Sequence, residues 1–137
     1  MAEDARRDAL AEMLALVASI EDADEAVQRG LERAGESLDA EFCAIVRDGS
    51  VVASRGFPTA DVPVVALAAI AAGKADTLDY GGFSGCRCIV VPMEDDGDGH
   101  LVAARISGGF SEDDRDLLHG MARVLTLAVR MLRRQSL

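Results

Sequence analysis

Asp48-Gly49 separates two short runs of apolar and β-branched residues, and this dipeptide constrains the fold more tightly than any other feature. Aspartate and glycine tolerate the positive φ angles of a two-residue hairpin turn. Residues 41–48 and 50–57 therefore read as a pair of antiparallel strands. Upstream, the apolar period is helical. Leu10, Met13, Leu14 and Val17 predict a helix over residues 5–20. Val27, Leu31, Ala34 and Leu38 predict a second over 22–39, with Asp22 as its cap and Glu25 three residues later.

Downstream, Pro58 breaks the strand. A helix is expected over 61–73, with Asp61 as N-cap, Pro63 in its first turn and Gly73 as its stop. This segment is apolar nearly all round, so it should be mostly buried or roof a cavity. Residues 76–80, 86–93 and 100–107 read as strands. Gly81-Gly82-Phe83-Ser84-Gly85 reads as a flexible loop, and Glu94 to Gly99 as an acidic turn. Ser111 caps a last helix over 111–135, whose Leu118, Met121, Leu125, Ala128 and Leu132 repeat at three and four. Glu112, Asp113 and Asp114 at its start suit the positive end of the helix dipole. Helices flanking hairpin-linked strands imply an α+β fold built on an antiparallel sheet of five to six strands. At 137 residues the chain is expected to be a single domain over 1–137.

Charge narrows the partners. The net charge of −10 disfavours a phosphate backbone or an anionic membrane surface, so neither nucleic acid nor membrane is expected. No apolar run approaches the ~20 residues of a membrane span. The N-terminus has no basic stretch leading into an apolar one, which argues against a secretory signal. Cys43, Cys86 and Cys88 are an odd set rather than a disulfide framework, and reduced thiols suit a cytoplasmic protein.

The sequence resembles a GAF domain from about Leu10 to Leu132. The resemblance rests on Gly109-Phe110-Ser111-Glu112-Asp113-Asp114-Arg115-Asp116-Leu117-Leu118 entering a long amphipathic helix, on the strand Cys86-Arg87-Cys88-Ile89-Val90-Val91-Pro92-Met93, and on the order of elements. It implies that the first, second and last helices pack on one sheet face and that the other face carries a ligand pocket. It also implies a sensory module preceding an output domain such as a histidine kinase, phosphatase or cyclic-di-nucleotide enzyme. The ligand-specific signatures are missing. There is no Asn-Lys-x-Phe-Asp pattern of cyclic-nucleotide binders and no Cys-His pair of bilin binders. Cys86-Arg87-Cys88 does not reproduce the arrangement of the GAF-like methionine sulfoxide reductases.

Candidate chemistry is sparse. Cys86 and Cys88 share a strand face, but their spacing suits neither a zinc knuckle nor a relaxed disulfide, so they read as core residues. His100 and His119 are isolated. Glu94, Asp96 and Asp98 mimic the start of a calcium loop whose twelfth position is Arg105, not glutamate. No phosphate-binding loop, nucleophile elbow or nucleophile–base pair is found. No cofactor and no catalysis are therefore expected.

A ligand, if bound, is expected between the sheet and the 61–73 helix, under the loop from Tyr80 to Gly85. Val65, Tyr80, Phe83, Ser84 and Cys86 are the candidate contacts, because small alanines leave space and glycines let the loop move. The apolar stripes of the first and last helices suggest a homodimer, with Leu10, Met13, Val17, Met121, Leu125 and Leu132 as candidate interface residues. The last helix reaches Leu137 without a glycine or proline stop, so a further C-terminal domain is expected. The reading is a non-catalytic sensory or regulatory domain that binds a small effector or a partner and signals through its terminal helices. The alternative is a ligand-free dimerisation module.

Overall fold

The computed structural model describes residues 2–93, 99–106 and 108–135, with only the backbone for Ala2, Val129, Leu132, Arg133 and Gln135. The acidic turn and its calcium-loop mimicry fall at residues 94–98, outside the described residues.

Helices α1 (Ala2–Ala18) and α2 (Ala23–Leu38) run antiparallel, tied by an ion pair between Arg33 and Glu12. The Asp22 carboxylate accepts from the Glu25 N–H at 2.9 Å, which is the expected cap. At the other end of α2, Asp39 takes a left-handed conformation, and its N–H returns to the last turn. That turn has no basic residue of its own. The cations come from the sheet instead: Arg55 donates to the Ala40 carbonyl and Arg105 to the Leu38 carbonyl.

Strands β1 (Phe42–Arg47) and β2 (Ser50–Arg55) meet at Asp48 and Gly49, with φ values of 53° and 76°. The pairing slips between Ile45 and Val46, so Val52 is an extra residue that bulges from the edge strand. The helix expected from Asp61 starts later. Thr59–Asp61 forms one 3-10 turn, and α3 spans Val64–Ala71. Pro63 is the cause, because it pushes Val62 into an extended conformation at φ −83°, ψ 125°. Asp61 therefore caps nothing. Lys74 N–H to Ala69 carbonyl and Gly73 N–H to Ile70 carbonyl close α3, with Gly73 at φ 78°.

Strands β3 (Thr77–Tyr80) and β4 (Phe83–Pro92) form a second tight hairpin through Gly81 and Gly82, at φ 59° and 88°. The loop expected over 81–85 is thus only two residues long. Phe83, Ser84 and Gly85 belong to β4, and the Gly85 N–H donates to the Asp79 carboxylate at 2.6 Å. Strand β5 (Gly99–Arg105) fills the centre of the sheet, whose order is β2-β1-β5-β4-β3, antiparallel throughout. Helix α4 (Glu112–Gln135) opens with a reciprocal cap. The Asp114 N–H donates to Ser111 Oγ at 3.1 Å, and the Ser111 N–H donates to Asp114 Oδ2 at 2.9 Å.

The sheet separates two apolar layers. Cys43, Ile45, Ile89, Val91, Leu101 and Ala103 face α2 and α4, and α1 packs over those two helices. Phe42, Ala44, Val46, Cys86, Val102 and Ala104 face α3. Arg6 pairs with Asp116 at 3.4 Å and Leu10 lies against Gly120, so α1 and α4 run parallel.

Candidate functional site

The α3 face of the sheet is closed at one end and open at the other. At the closed end Phe42 and Phe57 stack at 4.8 Å, and Tyr80 sets its ring edge against both at 5.6 and 4.8 Å. The Tyr80 hydroxyl donates toward the Asp61 carbonyl and carboxylate oxygens, each at 3.0 Å. Burial and that hydrogen bond raise the Tyr80 pKa, so the ring stays neutral and anchored.

The five residues expected to form a pocket are not assembled into one. Cys86 is buried against Leu67 and Ile70, Tyr80 belongs to the aromatic cluster, and Ser84 is exposed. Phe83 is 48% exposed on the outer end of β4 and plugs nothing. Val65, 86% exposed on the outer side of α3, is the one member that lines open space.

Two crevices lie toward the other end, where α3 stops, while a third, of about 580 Å³, opens at the β2 edge beside Phe57. A crevice of about 650 Å³ runs beside α3 past Val46, Asp48, Val65, Ala68 and Ala69. A second, of about 730 Å³, lies where β4 outlasts β3, past Ile70, Asp76, Cys88, Val90 and Arg115. Lys74 and His100 line both. Geometry explains the opening. The last backbone bond to the β3 side is Cys88 N–H to the Asp76 carbonyl, at 3.1 Å. Beyond it no described strand pairs with the β4 edge, which is protected by Pro92 and by Arg115, whose guanidinium approaches the Val90 carbonyl at 3.4 Å.

The cysteines supply no reactive thiolate. Burial pushes the Cys43 thiol up to about 12 and the Cys88 thiol up to about 11, and it raises Cys86 too. Cys86 and Cys88 share the α3 face, as their spacing predicts. Among the described residues, no group of His, Cys, Asp and Glu side chains is arranged to hold a metal ion.

The helix layer also redistributes the expected interface residues. Met13, Val17, Met121 and Leu125 have no exposed surface, because they fill the core between the helices and the sheet. They cannot meet a partner while the chain is folded. Leu10 is half-buried over Gly120, and the side chain of Leu132 lies outside the described residues. Among the described residues of α1 and α4, the large apolar side chains left exposed are Leu14, 49% exposed, Leu127, 59%, and Met131, 61%. With half-buried Leu117 and Val124, the last two form a stripe one residue earlier in register than the buried one.

Arg105 joins the sheet to the helix layer. It donates to the Leu38 carbonyl and, at 2.8 Å, to the Gly109 carbonyl, lies 3.6 Å from Asp114, and stacks on Phe110 at 4.3 Å. The end of the central strand is thereby fixed to the end of α2 and the start of α4.

No family model matches the sequence, and no curated protein matches it. Solved structures do. The chain superposes on the GAF domain of a Pseudomonas syringae pv. tomato protein described as a sensor histidine kinase, with TM-score 0.67, 16% identity, and 98% of this chain and 91% of that one covered. The GAF domain of a phosphoenolpyruvate-protein phosphotransferase from Coxiella burnetii gives 0.70 at 15% identity, with 96% of each chain covered. Its counterpart from Acinetobacter gives 0.65 at 14% identity, with 93% of each covered. This chain has the GAF-domain fold. In this GAF fold the smaller crevice lies on the α3 face, the face that the sequence resemblance assigns to a ligand, whereas the larger one lies at the β4 edge, where Ile89 of the helix-facing layer and Arg115 of α4 also line it.

Lys74 and Arg115, which line the crevices, are not among the residues that the sequence singles out, and His100 reads there as isolated. One signal was available: Lys74 is the chain's only lysine, and it directly follows the apolar helix.

Proposed function

We propose that this chain is a non-catalytic sensory or regulatory domain that binds a small effector in the crevices around Lys74 and His100. The observation that carries the reading is the pair of open crevices, about 730 and 650 Å³, that meet at Lys74 and His100, one along the α3 face and the other at the β4 edge beside α4. Volumes of that order suit small-molecule sites. A shift at the larger crevice reaches α4 through Arg115, which lines it and approaches the Val90 carbonyl, and a small displacement between packed helices is a known way to pass a signal. In this reading the domain works in the cytoplasm as a homodimer joined along α1 and α4, and it acts on a C-terminal output domain. The three structural neighbours are named as parts of a sensor histidine kinase and of phosphotransferases, which supports a regulatory setting. The packed cluster of Phe42, Phe57 and Tyr80 favours the second reading, a ligand-free dimerisation module. Mass spectrometry of protein purified under native conditions separates the two. One small molecule retained per chain, released on denaturation, is the expected result. Bare protein from cells grown in several media would favour the dimerisation module.

A further inference from the structure

The chemistry of the effector follows from how the two crevices meet, provided that they take a small molecule at all. Their shared stretch is the C-terminal turn of α3 with Lys74 and His100. The wall leading away is apolar, made by Val46, Val65, Ala68 and Ala69. Residues 62–73 are the longest stretch of the chain without a charged side chain. Set against that wall, the only lysine in a chain of net charge −10 stands out. Arg115 adds a second permanent cation to the lining of the larger crevice.

We propose that the site takes an amphipathic monoanion: a small apolar body lying along α3, with one carboxylate-type head between Lys74 and His100. Asp48 lines one crevice and Asp76 the other. They repel a second negative charge, so polyphosphates and dicarboxylates are disfavoured. The apolar wall offers no hydrogen-bonding side chain to a sugar-like body.

A single lysine makes the test direct. Reductive methylation with carbon-13 formaldehyde keeps the lysine charge and gives one side-chain signal, assigned by its loss in Lys74→Gln. The unlabelled chain of Lys74→Gln should fold normally, because only the backbone N–H of Lys74 closes α3. Hexanoate, hexanamide and hexylamine, matched in length, are titrated while the methyl signal and the His100 ring signals are followed. Hexanoate should move both saturably, and bind about fivefold or more tighter than the amide. That preference should vanish in Lys74→Gln. Equal or tighter binding of the amide or the amine at the same signals would overturn the monoanion while leaving the effector site standing. If none of the three moves either signal, the crevices are not a small-molecule site and both readings fall.

Discussion

Single side chains carry two kinds of information here, and thiol ionisation is the clearer. Cys43 and Cys88 hold their protons more tightly in the folded chain than in the unfolded one. The stability this contributes is complete below the ordinary value of 9.0 and is lost as pH rises toward about 11 and 12. Tyr80, also raised, adds to the same alkaline limb. Urea midpoints should therefore fall as pH climbs above 9.0, with a shallower fall in Cys43→Ala. An unchanged limb would mean that the thiol ionises as freely folded as unfolded. Glycines give the second kind. Gly49 and Gly56 have φ values of 76° and 92°, but a Cβ at Gly49 meets open space while one at Gly56 collides with the Glu41 carbonyl. Gly49→Ala should cost about 1 kcal/mol, the conformational term alone. Gly56→Ala should cost about 3 kcal/mol or more, since the obstacle is backbone and cannot rotate away. Denaturant titration of the two variants distinguishes strain from strain plus clash.

At the scale of elements, α4 presents two apolar stripes of the same three-four spacing, one residue apart. Leu118, Met121, Leu125 and Ala128 are buried; Leu127 and Met131 are exposed. Leu125→Glu should unfold the chain, since an unpaired charge would enter a closed core, costing about 4 kcal/mol or more. Leu127→Glu with Met131→Glu should leave the melting temperature nearly unchanged, yet turn the proposed dimer into a monomer in sedimentation. Unchanged sedimentation would place the interface elsewhere. The start of α4 carries a separate prediction. Ser111→Ala removes the hydroxyl that accepts from the Asp114 N–H and should cost about 1 kcal/mol. The cap was legible because its residues are adjacent. Which stripe faces the sheet was not, because both satisfy the same periodicity and only packing against α2 selects one.

For the whole molecule the governing quantities are charge and layering. Two chains of net charge −10 repel on approach, so the proposed dimer should tighten as salt is added. Sedimentation equilibrium at low and at moderate ionic strength checks this; a dimer weakened by salt would point to an interface held by ion pairs instead. Layering decides what α3 does. Its outer face holds Val65, 86% exposed, although an all-apolar helix is expected to be buried. Only Leu67 and Ile70 reach the sheet fully, since eight residues make little more than two turns.

Local chemistry alone determined the α+β order. Asp48-Gly49 tolerates positive φ, the Asp22 and Ser111 side chains accept from the N–H groups of Glu25 and Asp114 three residues on, and alternating or three-four apolar spacing is a property of neighbours in sequence. Tertiary structure decided the rest. Pro63 delayed α3 by its ring, but the early end of β3, beyond which no described strand pairs with the β4 edge, depends on how two hairpins meet. Lys74, His100 and Arg115 line the crevice from the turn after α3, from β5 and from α4, with no shared sequence pattern. Tyr80, Phe83 and Ser84 are close in sequence and looked like a lid, yet a two-residue turn at Gly81-Gly82 drew them into a hairpin beyond the opposite end of the sheet. Proximity in sequence fixes turns and caps because their bonds span three or four residues; a cavity is the space that packing fails to fill, and that is set by every layer at once.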